Sequence, residues 1–242
     1  MLVLTLDRII CCFFFFFCNP LCIQKAARRL LAYWEARFNL FGPDKAFLPM
    51  TLRGAMRDDA AALEVGFVRS FSFCSTGSTK CDRQIMYLDP SRLDASQYTR
   101  ESMLRTFWYT IHAMLENDET QRRGIIIISN PRYAKYWQFD FRQFEITTAS
   151  LKGDLPIRIS AIHICNPPIF KHMVVLPIIK FMLLSKTTRR RLNVHRDGDQ
   201  MQIMHKLEDK FGFDRHDLPS DLGGSLILDH IGWLKERYQN EL

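Results

Sequence analysis

The chain lacks the short motifs in which catalytic and metal-binding residues usually occur. It has seven cysteines and seven histidines, but no Cys-x-x-Cys pair, no His-Glu-x-x-His and no Gly-x-Ser-x-Gly. The first two absences disfavour a zinc site, and the third removes the usual setting of a hydrolytic serine. Cys165 also lacks the sequence context of a nucleophile. We therefore expect a protein that is not an enzyme and that carries no metal and no cofactor.

Glycosylation sites of the form Asn-x-Ser/Thr are absent as well, which together with the missing Cys-x-x-Cys pairs favours a reducing intracellular compartment. A long apolar run is also missing, because the stretch at 9–18 is shorter than the roughly 20 residues that span a bilayer. Three alternatives remain open for residues 1–24: a translated pyrimidine-rich intron tail, a membrane-related segment such as a signal peptide, or a genuine part of the fold.

Charge and length limit the remaining classes. The sequence has 33 lysines and arginines against 26 aspartates and glutamates, and its formal net charge of +7 favours anionic partners. Aromatic residues are numerous but do not interleave with basic residues as they would on a nucleic-acid platform, so we expect no nucleic-acid partner. The 242 residues, 47% of them hydrophobic, suffice for one core with a small helical appendage.

Apolar residues at helical spacing predict several amphipathic helices. The predicted helices cover 25–41, 56–63, 99–118, 140–151 and 201–211. Gly42 and Gly212 follow the first and the last of these helices, and Thr99 or Ser102 is expected to cap the third. The stretch at 169–184 is apolar on nearly every side, which predicts a buried helix that is kinked or restarted at Pro177.

Continuous β-branched runs predict strands that are buried on both faces. Strands are predicted at 83–88, 125–129, 158–166 and 189–195. Because a helix is predicted between the second and the third strand, the right-handed crossover rule gives a parallel pair and an α/β fold. Functional sites in such sheets tend to lie beyond the carboxyl ends of the strands.

Several features follow one another in an order that is typical of one family. They are the strand GIIIIS, a strand opened by Pro156 and Arg158 and closed by Asn166 and Pro168, the apolar helix with Lys180 and Phe181, the basic RRRLNVH and the turn LPSDLGG. This order resembles the CRAL-TRIO lipid-binding family over residues 66–226. The resemblance implies a mixed, largely parallel α/β sheet that floors a hydrophobic pocket covered by helices. It divides the chain into a partial helical N-terminal lobe at 25–65 and a lipid-binding domain at 66–242.

The resemblance also implies where a ligand would bind, because in the family the apolar helix gates a deep pocket above the sheet. Transferred to this chain, the pocket residues are Ile164, Phe139, Phe141 and Phe144, with Ile169, Phe170, Val174, Ile178, Phe181, Met182 and Leu183 on the gate. Headgroup or membrane contact is expected at Lys186, Arg189, Arg190 and Arg191, of which Arg191 best matches the family's basic residue. The alternatives are an ordinary core helix and a solvated basic surface strand.

Three departures from the family pattern bear on the ligand. Ile157 stands where phosphatidylinositol-binding members have a glutamate, Ser129 and Asn130 stand where an acidic residue is common, and Phe181 follows Lys180 without the usual proline. Phosphatidylinositol therefore ranks level with phosphatidylcholine-like and other hydrophobic ligands.

We expect a monomeric, cytoplasmic protein that binds a phospholipid, touches anionic membranes peripherally and exchanges its ligand with them. In the alternative, bulky residues such as Trp137 fill the pocket, and the domain binds proteins such as small GTPases or their regulators.

Overall fold

The computed structural model describes residues 23–73, 83–167, 186–196 and 200–241. In these ranges the α-helices are α1 Ile23–Phe41, α2 Ala60–Glu64, α3 Arg100–Met114, α4 Asp118–Arg123, α5 Phe141–Gly153, α6 Lys186–Arg190, α7 Gln200–Phe211 and α8 His230–Asn240. The strands are β1 Val68–Phe73, β2 Arg83–Leu88, β3 Ile125–Ser129, β4 Ile159–Cys165 and β5 Leu192–His195. Nearly all of the apolar segment at 1–24 lies outside the described residues.

The five strands form one mixed sheet in chain order, from β1 to β5. β1 is antiparallel to β2, and all the other neighbours are parallel. The parallel order arises because α3 and α4, and then α5, return the chain to the starting edge of the sheet. This confirms the α/β class and the largely parallel sheet. β1 was not predicted, because Arg69, Ser70 and Ser72 dilute its apolar pattern.

The first helix ends at Phe41 as its spacing predicts but begins two residues earlier, at Ile23, and Gly42 follows it with a φ of +76°. Its inner side holds a buried polar group in which Arg37 Nη1 donates to the Tyr33 hydroxyl at 2.8 Å. His112 Nε2 of α3 lies 3.0 Å from the same hydroxyl. Tyr33 and Arg37 are 0% and 1% exposed, so the bond pairs the Tyr33 hydroxyl and Arg37 Nη1, which would destabilise the core if they were buried without a partner.

The alanine-rich helix is shorter than predicted. Turns occupy 51–58, and only Ala60–Glu64 is helical. Asp59, just before α2, accepts hydrogen bonds from Arg105 Nε at 2.8 Å and Arg105 Nη2 at 2.7 Å. This ion pair with α3 fixes the chain direction at the start of α2, which alanine content alone does not determine.

One face of the sheet, which we call the helical face, packs against α1, α3 and α5. Its cluster contains Val68, Met86, Ile125 and Ile127 of the sheet together with Phe107, Trp108 and Ile111 of α3. The same cluster includes Tyr33 and Phe41 of α1, so the predicted N-terminal lobe and the sheet share one core. The predicted cap of α3 is confirmed, since Thr99 and Ser102 form a reciprocal capping box.

The opposite face, which we call the closed face, is covered by α7 and the loop that follows it. Its cluster joins Phe71, Ile85, Tyr87, Ile126, Ile128 and Cys165 to Ile203, Met204, Leu207, Phe213, Leu218 and Leu222. The LPSDLGG turn is bonded to the sheet, because Asn130 Nδ2 donates to the Asp221 carbonyl at 3.1 Å. A Cβ at Gly224 would lie 1.9 Å from the Leu218 oxygen, so only glycine permits this turn.

The predicted basic strand at 189–195 is wrong in its first part. Arg189 and Arg190 end α6, and pairing with β4 begins at Leu192, opposite Ile162. Arg191 lies in the turn between them, where its backbone N–H donates to the Thr188 carbonyl at 3.1 Å. The i to i−3 bond closes the helix and sets the start of the strand.

Candidate functional site

The helical face is largely apolar from β2 to β5, but it is less buried toward β5. Cross-strand partners form one row of Met86, Ile127, Ile162 and Leu192, and a second row of Leu88, Ser129, Ile164 and Val194. Met86 and Ile127 are buried, whereas Ile162, Ile164, Leu192 and Val194 are half-buried. We call these last four the β4–β5 apolar surface. Of them, only Ile162 packs against either of the clusters formed by the described residues.

Ile164 is the predicted pocket residue that lies on this surface. Ile162, Leu192 and Val194 were not predicted as site residues. The signal was present, because 162 and 164, like 192 and 194, are two residues apart and therefore face the same side of their strands. The sequence alone does not give the register of β4 and β5, which places Ile162 beside Leu192 and Ile164 beside Val194.

The predicted aromatic wall lies before and within the first turn of α5. The Phe139 and Phe144 rings are half-buried, with centroids 6.1 Å apart. Phe141 is 43% exposed. Trp137 is 63% exposed and so fills no interior space. Phe139 and Phe144 therefore remain candidates for lining a pocket, and Phe141 and Trp137 lie at the surface.

The predicted gate lies beyond the end of β4. Its residues, Ile169, Phe170, Val174, Ile178, Phe181, Met182 and Leu183, fall outside the described residues. Asn166 follows β4 with a φ of +49°, and its N–H donates to the His195 carbonyl at 3.1 Å. This bond holds the carboxyl ends of β4 and β5 together where the chain leaves the sheet.

The basic residues lie at the amino edge of the sheet. Lys186, Arg189 and Arg190 belong to α6, where Arg190 is exposed and Arg189 is half-buried. Arg191 is also half-buried, and its Nη1 donates to the Ile159 carbonyl. The side chain that best matches the family's headgroup contact therefore also joins the start of β5 to β4.

The residues that depart from the family pattern have defined surroundings. Ile157 is 5% exposed and belongs to the core of the helical face. Asn130 is 3% exposed, and its Nδ2 also donates to the Tyr87 hydroxyl at 3.1 Å. Ser129 is half-buried in the second row of the helical face. An apolar residue, an amide and a hydroxyl thus stand where other members carry carboxylates.

The closed face buries several titratable groups. His163 Nδ1 and His195 Nε2 are 3.0 Å apart, and the Phe211 ring meets His163 edge-on at 4.5 Å. Burial, and then the proximity of His195, lowers the pKa of His163 to about 4. Burial raises the pKa of the Cys165 thiol to about 12, so this thiol is protonated at neutral pH. These groups belong to the core rather than to a reactive site.

The described residues thus define an α/β domain with one closed sheet face and one face that presents an apolar surface. A CRAL/TRIO domain model matches residues 69–224, which is more than half of the chain. The chain belongs to the CRAL/TRIO domain family. This confirms the resemblance that the order of sequence motifs carried.

Relatives and a solved structure agree with this assignment. The chain is 29% identical to clavesin-2 of Mus musculus over 163 residues, which is 66% of this chain and 47% of that protein. It is 28% identical to clavesin-1 of Xenopus laevis over 152 residues, 60% of this chain and 42% of that protein. The chain spans about half the length of these curated relatives. The crystal structure of Sfh5 shares the fold, with a TM-score of 0.52 and 14% identity over 74% of this chain and 63% of that chain.

Among the helices within the described ranges, none combines the length and the apolar character that crossing a bilayer requires.

Proposed function

We propose that the domain binds one hydrophobic ligand, a phospholipid, against the β4–β5 apolar surface and exchanges it with membranes. The observation that carries the proposal is that the apolar side chains of Ile164, Leu192 and Val194 are half-buried and belong to neither core cluster, whereas Met86 and Ile127 of the same face are buried. Apolar side chains on a floor that is otherwise closed are the lining that hydrophobic ligands require. The proposed role is binding and transfer, with no chemical step.

The crossover geometry supports a pocket on this face. β2, β3, β4 and β5 are consecutive parallel neighbours, and the helices of the first two crossovers, α3 and α5, both pack on the helical face. Right-handed crossovers that advance in one direction stay on one face of a sheet. The proposal therefore places the ligand on this same face, at the β4–β5 apolar surface.

Ile157 bears on which headgroup the domain would bind. This side chain is buried in the core, where phosphatidylinositol-binding members carry a glutamate. An apolar residue cannot hydrogen-bond an inositol hydroxyl, so the proposal keeps phosphatidylcholine-like lipids level with phosphatidylinositol. Most of the binding free energy would come from the acyl chains, at about 0.8 kcal/mol for each buried CH₂ group.

The test is native mass spectrometry of the protein purified from its host, with a double variant, Ile164→Asn and Val194→Asn. Wild type should retain a lipid. The variant should lose roughly tenfold or more of its lipid affinity, because each lost apolar contact is worth about 1.5–3 kcal/mol. A matched control is Ile227→Asn with Ile231→Asn, since these side chains are 81% and 46% exposed.

Wild type that is repeatedly recovered without lipid would contradict the proposal. That result would favour the alternative, in which side chains such as those of Phe139 and Phe144 fill the pocket and the domain binds proteins. The ring contact between these two residues is the observation that keeps the alternative open.

A further inference from the structure

The segment between β3 and α5 exposes three aromatic side chains within five residues. Tyr133, Tyr136 and Trp137 are 64%, 71% and 63% exposed. The Tyr136 and Trp137 rings meet edge to face, with centroids 4.9 Å apart. Single exposed apolar residues are common on protein surfaces, but a contiguous group of large ones usually marks an interaction site. We call residues 132–137 the aromatic loop.

Two cations of the aromatic loop lie beside its rings. The Arg132 guanidinium carbon lies 5.4 Å from the centroid of Tyr133, and Lys135 Nζ lies 5.0 Å from the centroid of Trp137. Arg132 Nη1 donates to the amide oxygen of Gln200 at 2.9 Å. Within the described ranges, neither cation has a carboxylate at ion-pair distance, in contrast to Arg100 and Arg142 nearby. Their charges are therefore available to an anionic partner.

Hydrogen bonds of Gln138 anchor the aromatic loop to the rest of the domain. Gln138 Nε2 donates to the Ser91 carbonyl at 2.6 Å and to the Leu93 carbonyl at 2.9 Å. Gln138 Oε1 accepts a bond from the Lys135 N–H at 2.8 Å, and Ala134 is buried. A loop that is anchored in this way presents its rings without a large loss of conformational entropy on binding.

We propose that the aromatic loop is a membrane-docking surface that inserts Tyr133, Tyr136 and Trp137 into the interfacial layer of an anionic bilayer. Tyrosine and tryptophan favour this layer because each has an apolar body and a polar tip. Arg132 and Lys135 then lie at the depth of the lipid phosphates, where cations are attracted to anionic leaflets. The inference rests on the proposed lipid-exchange function, and it names the surface by which the domain reaches a membrane.

The chemistry of the aromatic loop fits a lipid surface better than a protein partner. The rings are exposed over most of their surface, and their cations lie beside them rather than around a pocket. A bilayer offers apolar acyl chains and phosphates in adjacent layers, which matches rings and cations that are presented together. The aromatic loop also follows the carboxyl end of β3, the edge at which sites of parallel sheets lie.

The test is flotation of the full chain with phosphatidylcholine vesicles that contain phosphatidylserine. A triple variant, Tyr133→Ala, Tyr136→Ala and Trp137→Ala, should bind these vesicles at least about tenfold more weakly than wild type. The control variant is Leu31→Ala, Ile227→Ala and Tyr238→Ala, which removes exposed side chains elsewhere and should bind like wild type. Trp137→Phe should still bind, but quenching of tryptophan fluorescence by brominated lipid should largely disappear.

Unchanged vesicle binding by the triple variant would overturn the proposal and leave the aromatic loop to a protein partner. Absence of vesicle binding by wild type would overturn it as well. Lipid content measured by native mass spectrometry reports separately on the proposed function, and the triple variant should retain its lipid. Failure of the docking proposal can thus be distinguished from failure of the proposed lipid binding.

Discussion

The surroundings of His163 and His195 determine the pKa of each of these buried side chains. The two side chains are 1% and 7% exposed, and they share a hydrogen-bond distance of 3.0 Å beneath α7. Burial lowers the pKa of His195 too, and Lys206 and Lys210 add to this effect. A histidine that stays neutral in the folded state while it takes up a proton when unfolded makes stability depend on pH.

We predict that the free energy of unfolding decreases as the pH falls from about 6.5, the ordinary pKa of histidine, toward about 4, the folded pKa of His163. The folded state resists a proton that the unfolded state accepts, so stability is fully present above this range and is lost on acidification. The slope should be at most about 1.4 kcal/mol per pH unit for each such histidine. Urea unfolding at several pH values measures this slope.

His163→Gln should be less stable than wild type at neutral pH, because it loses ring packing, but it should lose less stability on acidification. His205→Gln is the control, since that side chain is 62% exposed. Equal pH slopes for wild type and His163→Gln would show that His163 is not the source. We expect other histidines to contribute to the remaining slope, such as the half-buried His112, whose pKa is lowered to about 3 by desolvation and then by the nearby Arg37.

The start of β3 depends on a backbone conformation that Gly124 can adopt. Gly124 has a φ of +81° and a ψ of 172°, a combination that is essentially restricted to glycine. A Cβ at this position would lie 2.2 Å from the Arg158 oxygen, which accepts a hydrogen bond from the Ile125 N–H at 2.8 Å. The glycine therefore lets α4 end and the ladder between β3 and β4 start within one residue.

We predict that Gly124→Ala destabilises the protein by about 3 kcal/mol or more, because it combines a strained backbone with a contact against a fixed carbonyl. Chemical denaturation measures the change. Gly153→Ala is the matched control, since a Cβ at this last residue of α5 meets nothing within 4 Å. The control should be neutral, or more stable by about 0.5–1 kcal/mol. Equal effects of the two variants on stability would contradict the role assigned to the backbone conformation of Gly124.

The two surfaces that could meet a membrane lie at opposite edges of the sheet. Arg189, Arg190 and the exposed Arg158 lie at the amino edge, whereas the aromatic loop follows the carboxyl end of β3. A five-residue strand at about 3.3 Å per residue separates the two edges by roughly 15 Å. We therefore expect the basic edge to contribute mainly charge to membrane binding.

We predict that Arg189→Gln with Arg190→Gln weakens binding to anionic vesicles by roughly tenfold, because a basic residue near a membrane is worth about 1 kcal/mol. Arg191 is left unchanged, since its bond to the Ile159 carbonyl also supports the sheet. Vesicle flotation at two salt concentrations measures the loss, which added salt should mask. The control, Arg28→Gln with Lys235→Gln, removes the same charge elsewhere, and equal losses in both variants would leave only net charge as the cause.

Local patterns in the sequence determined the identity of most elements. The apolar period predicted α1, α3, α5 and α7, the β-branched runs predicted β3 and β4 as a parallel pair, and the order of motifs indicated the family. These features depend on residues close together in the chain, where period, caps and glycines act directly. The bounds at 56–63 and 189–191 were wrong, because Arg105 and the ladder with β4 set them from a distance.

The tertiary structure alone decided which surfaces are covered. Register joins Ile162 and Ile164 to Leu192 and Val194 across two strands, and packing leaves them half-buried while the other face is closed. The alternation of rings and cations at 132–137 is visible in the sequence and was missed there, but its exposure was not encoded locally. Burial depends on which distant segments pack on a residue, whereas period and capping depend on the residue's neighbours in the chain.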